Sequence, residues 1–348
     1  MNSETPAGVV RAPLRFRKRD EVVLPRFDRA TAAVFVVATL AIHLITNRRY
    51  GYFRDELYFL DCARHLSFGY ADCAPLIAVY AKFGMLLGAS LSALRFLPAV
   101  AAGATVLLAM LIARELGGGR YAQALAAFVT VCAPALLLMQ TVMTMNAFEP
   151  VYWMGCVWML CRIINGADRG EWVWFGVFAG LGIENKHSTV FFLAALFAGV
   201  LLSDARRALR SQWAWIGVCI AALLAMPNFI WQVVNHFPTY ELLRNVAKTH
   251  KNVDVSPLAL FVHQVVYFNP LAFVVWGAGV VWCFTQRRWR VLGWTYVVLF
   301  VMMAALHAKD YYFFPVHPVV SRQAPWRGSG GANASRRCDC CSRRRSRR

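Results

Sequence analysis

The sequence predicts an all-α polytopic membrane protein with about nine transmembrane helices. Of its 348 residues, 59% are hydrophobic and only 16% are charged, and the mean hydropathy is +0.46. Soluble domains are typically about half apolar. A bilayer core requires about 20 mostly apolar residues per helix, and such segments recur along the chain. They fall at 29–46, 96–114, 121–141, 147–164, 172–185, 188–203, 213–234, 257–284 and 291–307, of which the fifth and sixth are short enough to form one interrupted pair.

The basic residues predict how these helices are oriented. The net charge is +19, but the cations lie in the N-terminal segment and in alternate short loops rather than on one face. Cytoplasmic loops are enriched in Lys and Arg, so we expect a cytoplasmic N-terminus in a bacterial-type inner membrane. Nucleic-acid binding is therefore a poor interpretation of the charge. The outer side would hold 47–95, 142–146, 185–188, 235–256 and the chain from 308 onward.

Composition divides the chain into three parts. Residues 1–28 form a basic cytoplasmic segment, residues 29–320 contain the membrane helices, and residues 321–348 form an Arg-rich tail. The tail has nine arginines, one acidic residue and no lysine, which is typical of a GC-rich gene read in the wrong frame. We expect it to be disordered and to result from a frameshift or truncation. The alternative is a genuine basic tail that binds anionic lipid.

Two of the ten cysteines differ from the others in their position. Cys62 and Cys73 lie in the first outer loop, where an oxidising compartment would allow a disulfide; two free thiols are the alternative. A further five lie within predicted spans, and this position favours a packing role for them as small apolar residues. They are Cys132, Cys156, Cys161, Cys219 and Cys283.

The first outer loop begins with a dense group of polar residues. Residues 47–66 read NRRYGYFRDELYFLDCARHL and contain three acids, four arginines and a histidine. In a helix, Phe53, Leu57 and Leu60 form an apolar stripe suited to the membrane interface, and Asp55 points nearly opposite. A solvated helix whose charges pair with each other is an equally good interpretation of this spacing. The flank of the helix would carry Arg54, Tyr58, Asp61 and His65.

Further polar groups occur on the same predicted side of the membrane. Ionisable groups near a bilayer are costly, and they usually line a cavity or bind a polar partner. A lysine can bind phosphate, and a carboxylate can take a proton from an attacking hydroxyl. The pattern therefore favours a substrate with a lipid tail and an anionic headgroup. The groups are Asn146, Glu149, Glu184, Lys186, His187, Lys309 and Asp310.

The order of these motifs resembles a known family. An R-D-E segment at Arg54 is followed by ARHL and G-Y-x-D ending at Asp72, then by IARELGGG, and finally by K-x-YYFFP-x-x-P from Lys309 to Pro318. The chain from about 30 to 320 resembles the polytopic glycosyltransferases of the protein O-mannosyltransferase class, glycosyltransferase family 39. It is also similar to the lipid A aminoarabinose transferases.

This resemblance implies a GT-C fold, with a cavity beneath amphipathic helices of the outer loop 47–95. It implies a hexosyl- or mannosyltransferase-like enzyme that uses a polyprenyl-phosphate sugar donor and inverts the anomeric carbon. The acceptor would be a hydroxyl of a protein, lipid or glycan. Membrane lipid is the remaining expected partner, and no metal ligands are assigned, although a divalent cation is compatible with this chemistry.

The resemblance also implies roles for single residues. Asp55 would be the general base, and Glu56 would position Asp55 or the acceptor. The donor phosphate would be bound by Lys186, His187 and Lys309. Further substrate contacts would come from Arg54, Arg64, His65, Asp72, Asn146, Glu149 and Tyr311.

The chain departs from the family pattern at two of these positions. Asn146 stands where many relatives have an acid, and an amide cannot act as a base; Glu149 is the candidate replacement. His187 stands where a tyrosine is commoner. Two other functions remain open: a transporter or flippase for an amphipathic anion, and a truncated, inactive relic. The halves of the chain show no internal repeat, which transporters commonly contain.

Overall fold

The computed structural model describes residues 24–88, 90–167, 170–248 and 255–320, and the regular structure within these ranges is helical. The Arg-rich tail and most of the N-terminal basic segment lie outside the described residues. The α-helices are α1 (Arg29–Thr46), α2 (Arg54–Arg64), α3 (Leu76–Leu87), α4 (Leu91–Leu94), α5 (Phe96–Glu115), α6 (Arg120–Val131), α7 (Pro134–Met139), α8 (Met145–Asn165), α9 (Gly170–Asn185), α10 (Thr189–Leu201), α11 (Gln212–Val234), α12 (Pro238–Lys248), α13 (Pro257–Phe268), α14 (Pro270–Thr285), α15 (Arg290–Ala305) and α16 (His317–Val320). Short 3-10 helices cover Asp204–Arg210, Arg287–Trp289, Asp310–Tyr312 and Phe314–Val316.

Helices occupy all nine predicted spans, but two of the spans are broken. The span at 121–141 consists of α6 and α7, which begins at Pro134. The span at 257–284 consists of α13 and α14, which meet at an angle of 114°. Proline lacks an amide hydrogen and its ring clashes with the preceding turn, so a helix cannot continue through it undisturbed. At the second break, Asn269 has φ of 108° and caps α14 ahead of Pro270.

Length and composition separate the helices that can cross a bilayer by themselves. In the described part of the chain, α1, α11 and the segment Leu91–Glu115 qualify, and the number rises to five if each strongly bent helix pair is one span. The other bundle helices are shorter or less apolar. In the apolar stretch of each segment, only 17% of the residues of α1 and of α11 are buried, against 67% for Leu91–Glu115. Consequently α1 and α11 expose their apolar side chains at the periphery, while α5 is a core helix.

The bundle is arranged around α8, which packs against α5 and α9. Outside this centre, α11 packs along α9, α15 packs along α10, and α1 packs along α5. The contact of α9 with α11 depends on glycine, because a Cβ atom at Gly176 would lie 2.3 Å from the carbonyl oxygen of Gly217. Small residues allow membrane helices to approach this closely.

One end of the bundle carries the basic loops and is held by polar contacts. Asp28 caps α1 and accepts a hydrogen bond from Arg120 at 2.8 Å. The Asn165 amide at the C-terminus of α8 donates to Glu115 at 2.7 Å, and Arg162 pairs with Glu171 at 2.5 Å. The N-terminus of α8 lies at the opposite end, about 30 Å away at 1.5 Å per residue. The candidate catalytic groups are at that second end.

Candidate active site

A fully buried ion pair anchors the first turn of α2. Arg95 donates to Glu56 through Nε (2.7 Å) and Nη2 (2.6 Å), and both side chains are 0% exposed. Glu56 also accepts hydrogen bonds from the amides of Phe53 (2.8 Å) and Met143 (2.9 Å). A buried charge pair is tolerated only when hydrogen bonds satisfy its remaining atoms. Here the other guanidinium donors reach the carbonyl oxygens of Asn47, Tyr50 and Gly51.

This ion pair determines where Asp55 lies. Glu56 faces the protein interior, and Asp55, which is one residue earlier on the helix, faces outward with 39% of its side chain exposed. Its carboxylate pairs with the highly exposed Arg54 at 3.1 Å. Asp55 also lies in the first turn of α2, where the helix dipole favours a negative charge.

Lys186 lies in the turn between α9 and α10 and is buried. Its ammonium donates to Oδ1 of Asn146 and to Oε2 of Glu149, both at 2.7 Å. The hydroxyl of Ser188 donates to the other carboxylate oxygen of Glu149. Burial lowers the pKa of Lys186, Glu149 opposes that effect, and the charge of Lys309 lowers the pKa further. The two lysines are therefore close enough to repel each other.

Tyr311 lies beside the Lys186 group, and its hydroxyl is influenced by the charge of Asp55. The Lys186 ammonium lies 5.3 Å from the ring centroid of Tyr311 and 4.2 Å from that of Tyr312, and the Lys309 ammonium lies 6.0 Å from the Tyr311 ring. Such distances allow cation–π attraction. Burial raises the pKa of the Tyr311 hydroxyl, and Tyr312, Glu149 and Asp55 raise it further. Two cations thus meet at one aromatic residue, and the charge of a base candidate influences the same residue, although these groups are far apart in the chain.

The structure directs His187 to a different place from its neighbour Lys186. Its Nε2 lies 3.1 Å from Oδ1 of Asn228 on α11. His187 lines a cavity of about 290 Å³ together with Phe229, Gln232 and Tyr240, among others. Adjacent residues at a helix break diverge, and this is why two neighbours in the sequence serve two separate sites.

Three further candidates lie along α2 and the loop after it. Arg64 lines a small cavity with Tyr52 and Ser90, about 14 Å along the helix from Asp55 at 1.5 Å per residue. The side chain of His65 is 78% exposed and lies 3.8 Å from Asp61. Asp72 accepts a hydrogen bond from Tyr58 at 2.5 Å. None of these three is among the described contacts of Tyr311.

Sequence reasoning missed three residues of this region. Arg95, Ser188 and Tyr312 hold or flank the candidate groups. Of these three, only Arg95 could have been noticed in the sequence, because it is a charged residue directly before the long apolar run of α5. In the described ranges, no three His, Cys, Asp or Glu side chains come together as a metal ion would require. The pair of lysines is instead suited to an anion.

Comparison with known proteins finds similarity in part of the sequence and in the fold. The profile of the dolichyl-phosphate-mannose-protein mannosyltransferase family matches residues 72–231. ArnT from Cupriavidus metallidurans in the apo state superimposes with a TM-score of 0.66 at 17% identity, over 84% of this chain and 58% of ArnT. The same protein bound to undecaprenyl phosphate gives a TM-score of 0.65, likewise at 17% identity, over 84% of this chain and 59% of ArnT.

A second protein with a similar fold comes from an archaeon. AglB, the oligosaccharyltransferase of Archaeoglobus fulgidus, in complex with an inhibitory peptide and a dolichol-phosphate, superimposes with a TM-score of 0.58 at 16% identity. The match covers 83% of this chain and 49% of AglB. This chain therefore spans between about half and three fifths of the solved structures that it resembles. No curated protein matches it in sequence.

The predicted fold class is confirmed. The chain is a multi-pass helical membrane protein with a GT-C fold, and it is similar to the aminoarabinose transferases, as the motifs in its sequence indicated. The roles of the individual site residues stay predictions.

Proposed function

We propose that this chain is a membrane glycosyltransferase that transfers a sugar from a polyprenyl-phosphate donor to an acceptor hydroxyl. The proposal depends on one observation: Lys186 and Lys309 lie beside the ring of Tyr311, and the charge of Asp55 acts on the pKa of the same tyrosine. One end of this group offers a carboxylate, and the other offers cations for a phosphate. The lipid phosphates bound to ArnT and AglB support a donor of this class.

The two lysines bind the donor phosphate. Lys186 uses two of its three N–H donors on Asn146 and Glu149, which leaves the third for a phosphate oxygen. Because Glu149 neutralises Lys186, the net positive charge of the pair comes from Lys309. A preorganised cation stabilises the charge that develops on a leaving phosphate, so the chemistry requires no metal. Glu149 and Asn146 hold the Lys186 ammonium in place.

Asp55 is the general base. Its exposed carboxylate takes the proton of the acceptor hydroxyl while that oxygen attacks the anomeric carbon and the lipid phosphate leaves. Attack from the side opposite the leaving group inverts the anomeric carbon. Glu56 cannot contact the acceptor directly, since its side chain is fully enclosed. It therefore positions Asp55, and Arg54 contributes to substrate binding from the exposed rim.

The active site opens on the outer face of the inner membrane. The basic loops and their polar contacts are at the end of the bundle opposite Asp55 and Lys186, and cytoplasmic loops are the ones enriched in cations. The N-terminus is then cytoplasmic. A lipid-linked donor is confined to the same bilayer as the site, which favours the encounter of the two.

Sugar transfer from a polyprenyl-phosphate donor tests this proposal. Radiolabelled polyprenyl-phosphate hexoses are supplied one at a time to proteoliposomes that hold the full chain and an envelope extract as acceptor. We expect transfer from at least one donor, and we expect Asp55→Asn to abolish it with unchanged expression. The control is Asp61→Asn, an acid on the same helix whose side chain is 67% exposed.

Two results would contradict the proposal. Full transfer by the Asp55→Asn variant would exclude this carboxylate as the base. Movement of the labelled lipid across the bilayer with no glycosylated product would instead support a flippase.

A further inference from the structure

We propose that Cys62 and Cys73 form a disulfide bond that joins α2 to the loop before α3. The bond requires an oxidising compartment, so this inference depends on the outward placement of α2 in the proposed function. It concerns neither the sugar chemistry nor the phosphate site. It assigns a covalent cross-link to the helix that carries Asp55.

Cys62 and Cys73 are neighbours in the fold. Their side chains interact with each other, they are 5% and 1% exposed, and both are free thiols in this structure. A disulfide requires the two cysteine side chains to approach in this way without movement of the backbone. Two cysteines with only a packing role in a core would not need to lie beside each other.

Hydrogen bonds on both sides of the pair hold the two segments in register. Tyr58, one turn before Cys62, donates its hydroxyl to Asp72, the neighbour of Cys73, at 2.5 Å. The hydroxyl of Tyr70 donates to the carbonyl oxygen of Cys62 at 3.0 Å. The chain segments are therefore fixed next to each other by contacts other than the thiols. Closing the sulfur–sulfur bond costs little further conformational entropy.

The chemistry is a thiol–disulfide exchange. The thiolate of one cysteine attacks the disulfide of an exchange protein on the outer face, and a mixed disulfide forms. The second cysteine then attacks that bond and releases the exchange protein as a dithiol. Two thiols have lost two protons and two electrons, and the exchange protein has gained the electrons. Burial raises the pKa of both thiols, which lowers their thiolate fraction. The bond thus forms during folding, before the loop covers α2.

The cross-link and the buried ion pair secure opposite ends of the same helix. Glu56 and Arg95 hold the first turn of α2, and Cys62 lies in its last turn. With both ends attached, the helix cannot pivot, and Asp55 keeps its outward orientation. The bond also closes a short loop and thereby restricts the unfolded chain.

The bundle contains an internal control for this proposal. Cys161 on α8 is buried and lies near Glu115, Arg288 and the buried Cys283 of α14. This second pair lies at the end of the bundle that carries the basic loops. If the side of the membrane determines whether a cysteine pair is oxidised, Cys62 and Cys73 form a disulfide, and Cys161 and Cys283 stay thiols.

Peptide mapping tests the proposal on the full chain. Cells are quenched in acid, thiols are blocked with N-ethylmaleimide in denaturant, and the purified protein is digested without reductant. We expect one linked peptide that joins Cys62 to Cys73, and we expect blocked Cys161 and Cys283. Cys62→Ser and Cys73→Ser should each remove the linked peptide and lower Tm by roughly 5 °C. Reductant should lower the Tm of the unsubstituted protein similarly and leave that of Cys62→Ser unchanged.

Two outcomes would overturn the proposal, and they differ in what they say about the proposed function. Blocked Cys62 and Cys73, combined with loss of sugar transfer in Asp55→Asn, would remove the disulfide and leave the enzyme. A linked peptide of Cys161 and Cys283 with Cys62 and Cys73 blocked would show that the bundle has the opposite orientation. That result would remove the outward active site as well.

Discussion

Arg95 and Glu56 are joined by two hydrogen bonds of 2.7 and 2.6 Å, and neither side chain is exposed. Successive residues of an α-helix point about 100° apart. The burial of Glu56 therefore turns its neighbour Asp55 toward the outside, where 39% of that side chain is exposed. Two adjacent acids thus have different surroundings: Glu56 is enclosed and fixes the helix, and Asp55 pairs with Arg54 at the exposed surface.

Removing the guanidinium of Arg95 should severely destabilise the protein. Arg95→Ala leaves Glu56 charged and enclosed, with two backbone amides as its described partners. Breaking a buried ion pair in this way costs about 3–5 kcal/mol. We expect a large fall in the thermal unfolding midpoint of the detergent-solubilised protein, measured by intrinsic tryptophan fluorescence.

A matched control for this variant is Arg120→Ala. Arg120 also pairs with an acid, Asp28, but its side chain is 80% exposed, and exposed ion pairs contribute little. The midpoint of this variant should stay near that of the unsubstituted protein. Equal midpoints for the two variants would show that the buried pair does not anchor α2.

Lys309 should control the affinity for the donor lipid. It is partly exposed, and its ammonium lies beside Tyr311, so its removal should leave the fold intact. We expect Lys309→Gln to weaken the binding of undecaprenyl phosphate about tenfold, which corresponds to ~1.4 kcal/mol. Lys82→Gln, a partly exposed lysine on α3, is the control and should bind normally. Binding is measured in nanodiscs by microscale thermophoresis, and an unchanged affinity in Lys309→Gln would exclude this lysine from the phosphate site.

Binding of the lipid phosphate should also be lost at alkaline pH. The pH at which binding falls should be lower than it would be for a site made of exposed lysines. Burial lowers the pKa of Lys186 from its usual 10.5, although Glu149 opposes this. As the pH rises through that lowered pKa, the ammonium loses its proton and its attraction for phosphate. Arginine stays protonated throughout. Lys186→Arg should therefore move the alkaline loss of binding to higher pH in a titration from pH 7 to 10.5. If the loss occurs at the same pH in both proteins, another group is responsible.

The local features of α2 were predictable in part, because helical periodicity places Leu57 and Asp55 on different faces. Leu60, which was predicted on the same apolar stripe as Leu57, packs against the core instead. Leu57 is 55% exposed, as a residue directed at the membrane interface would be. The distribution of cations also predicted that the loops between the basic ones gather at one end of the bundle; that this end faces outward stays a prediction. By contrast, the partner of Glu56 is 39 residues away, and no local pattern encodes such a contact. The bend at Asn269 was missed for another reason. Hydropathy summed over 257–284 records the apolar composition of the segment and contains no information on where the helix axis changes direction.

The spacing of α9 and α11 should control the position of Lys186, which follows the C-terminus of α9. A Cβ atom at Gly176 would lie 2.3 Å from a backbone oxygen of α11, and a backbone atom cannot rotate away as a side chain can. Gly176→Ala should therefore force the two helices apart, lower the unfolding midpoint and reduce sugar transfer. Gly119→Ala is the matched control, since a Cβ atom there would meet nothing within 4 Å. Asn228 on α11 contacts His187 in the turn that also contains Lys186, so the displacement would reach the backbone that carries the lysine. Full transfer with a normal midpoint in Gly176→Ala would show that α9 and α11 can separate without moving Lys186.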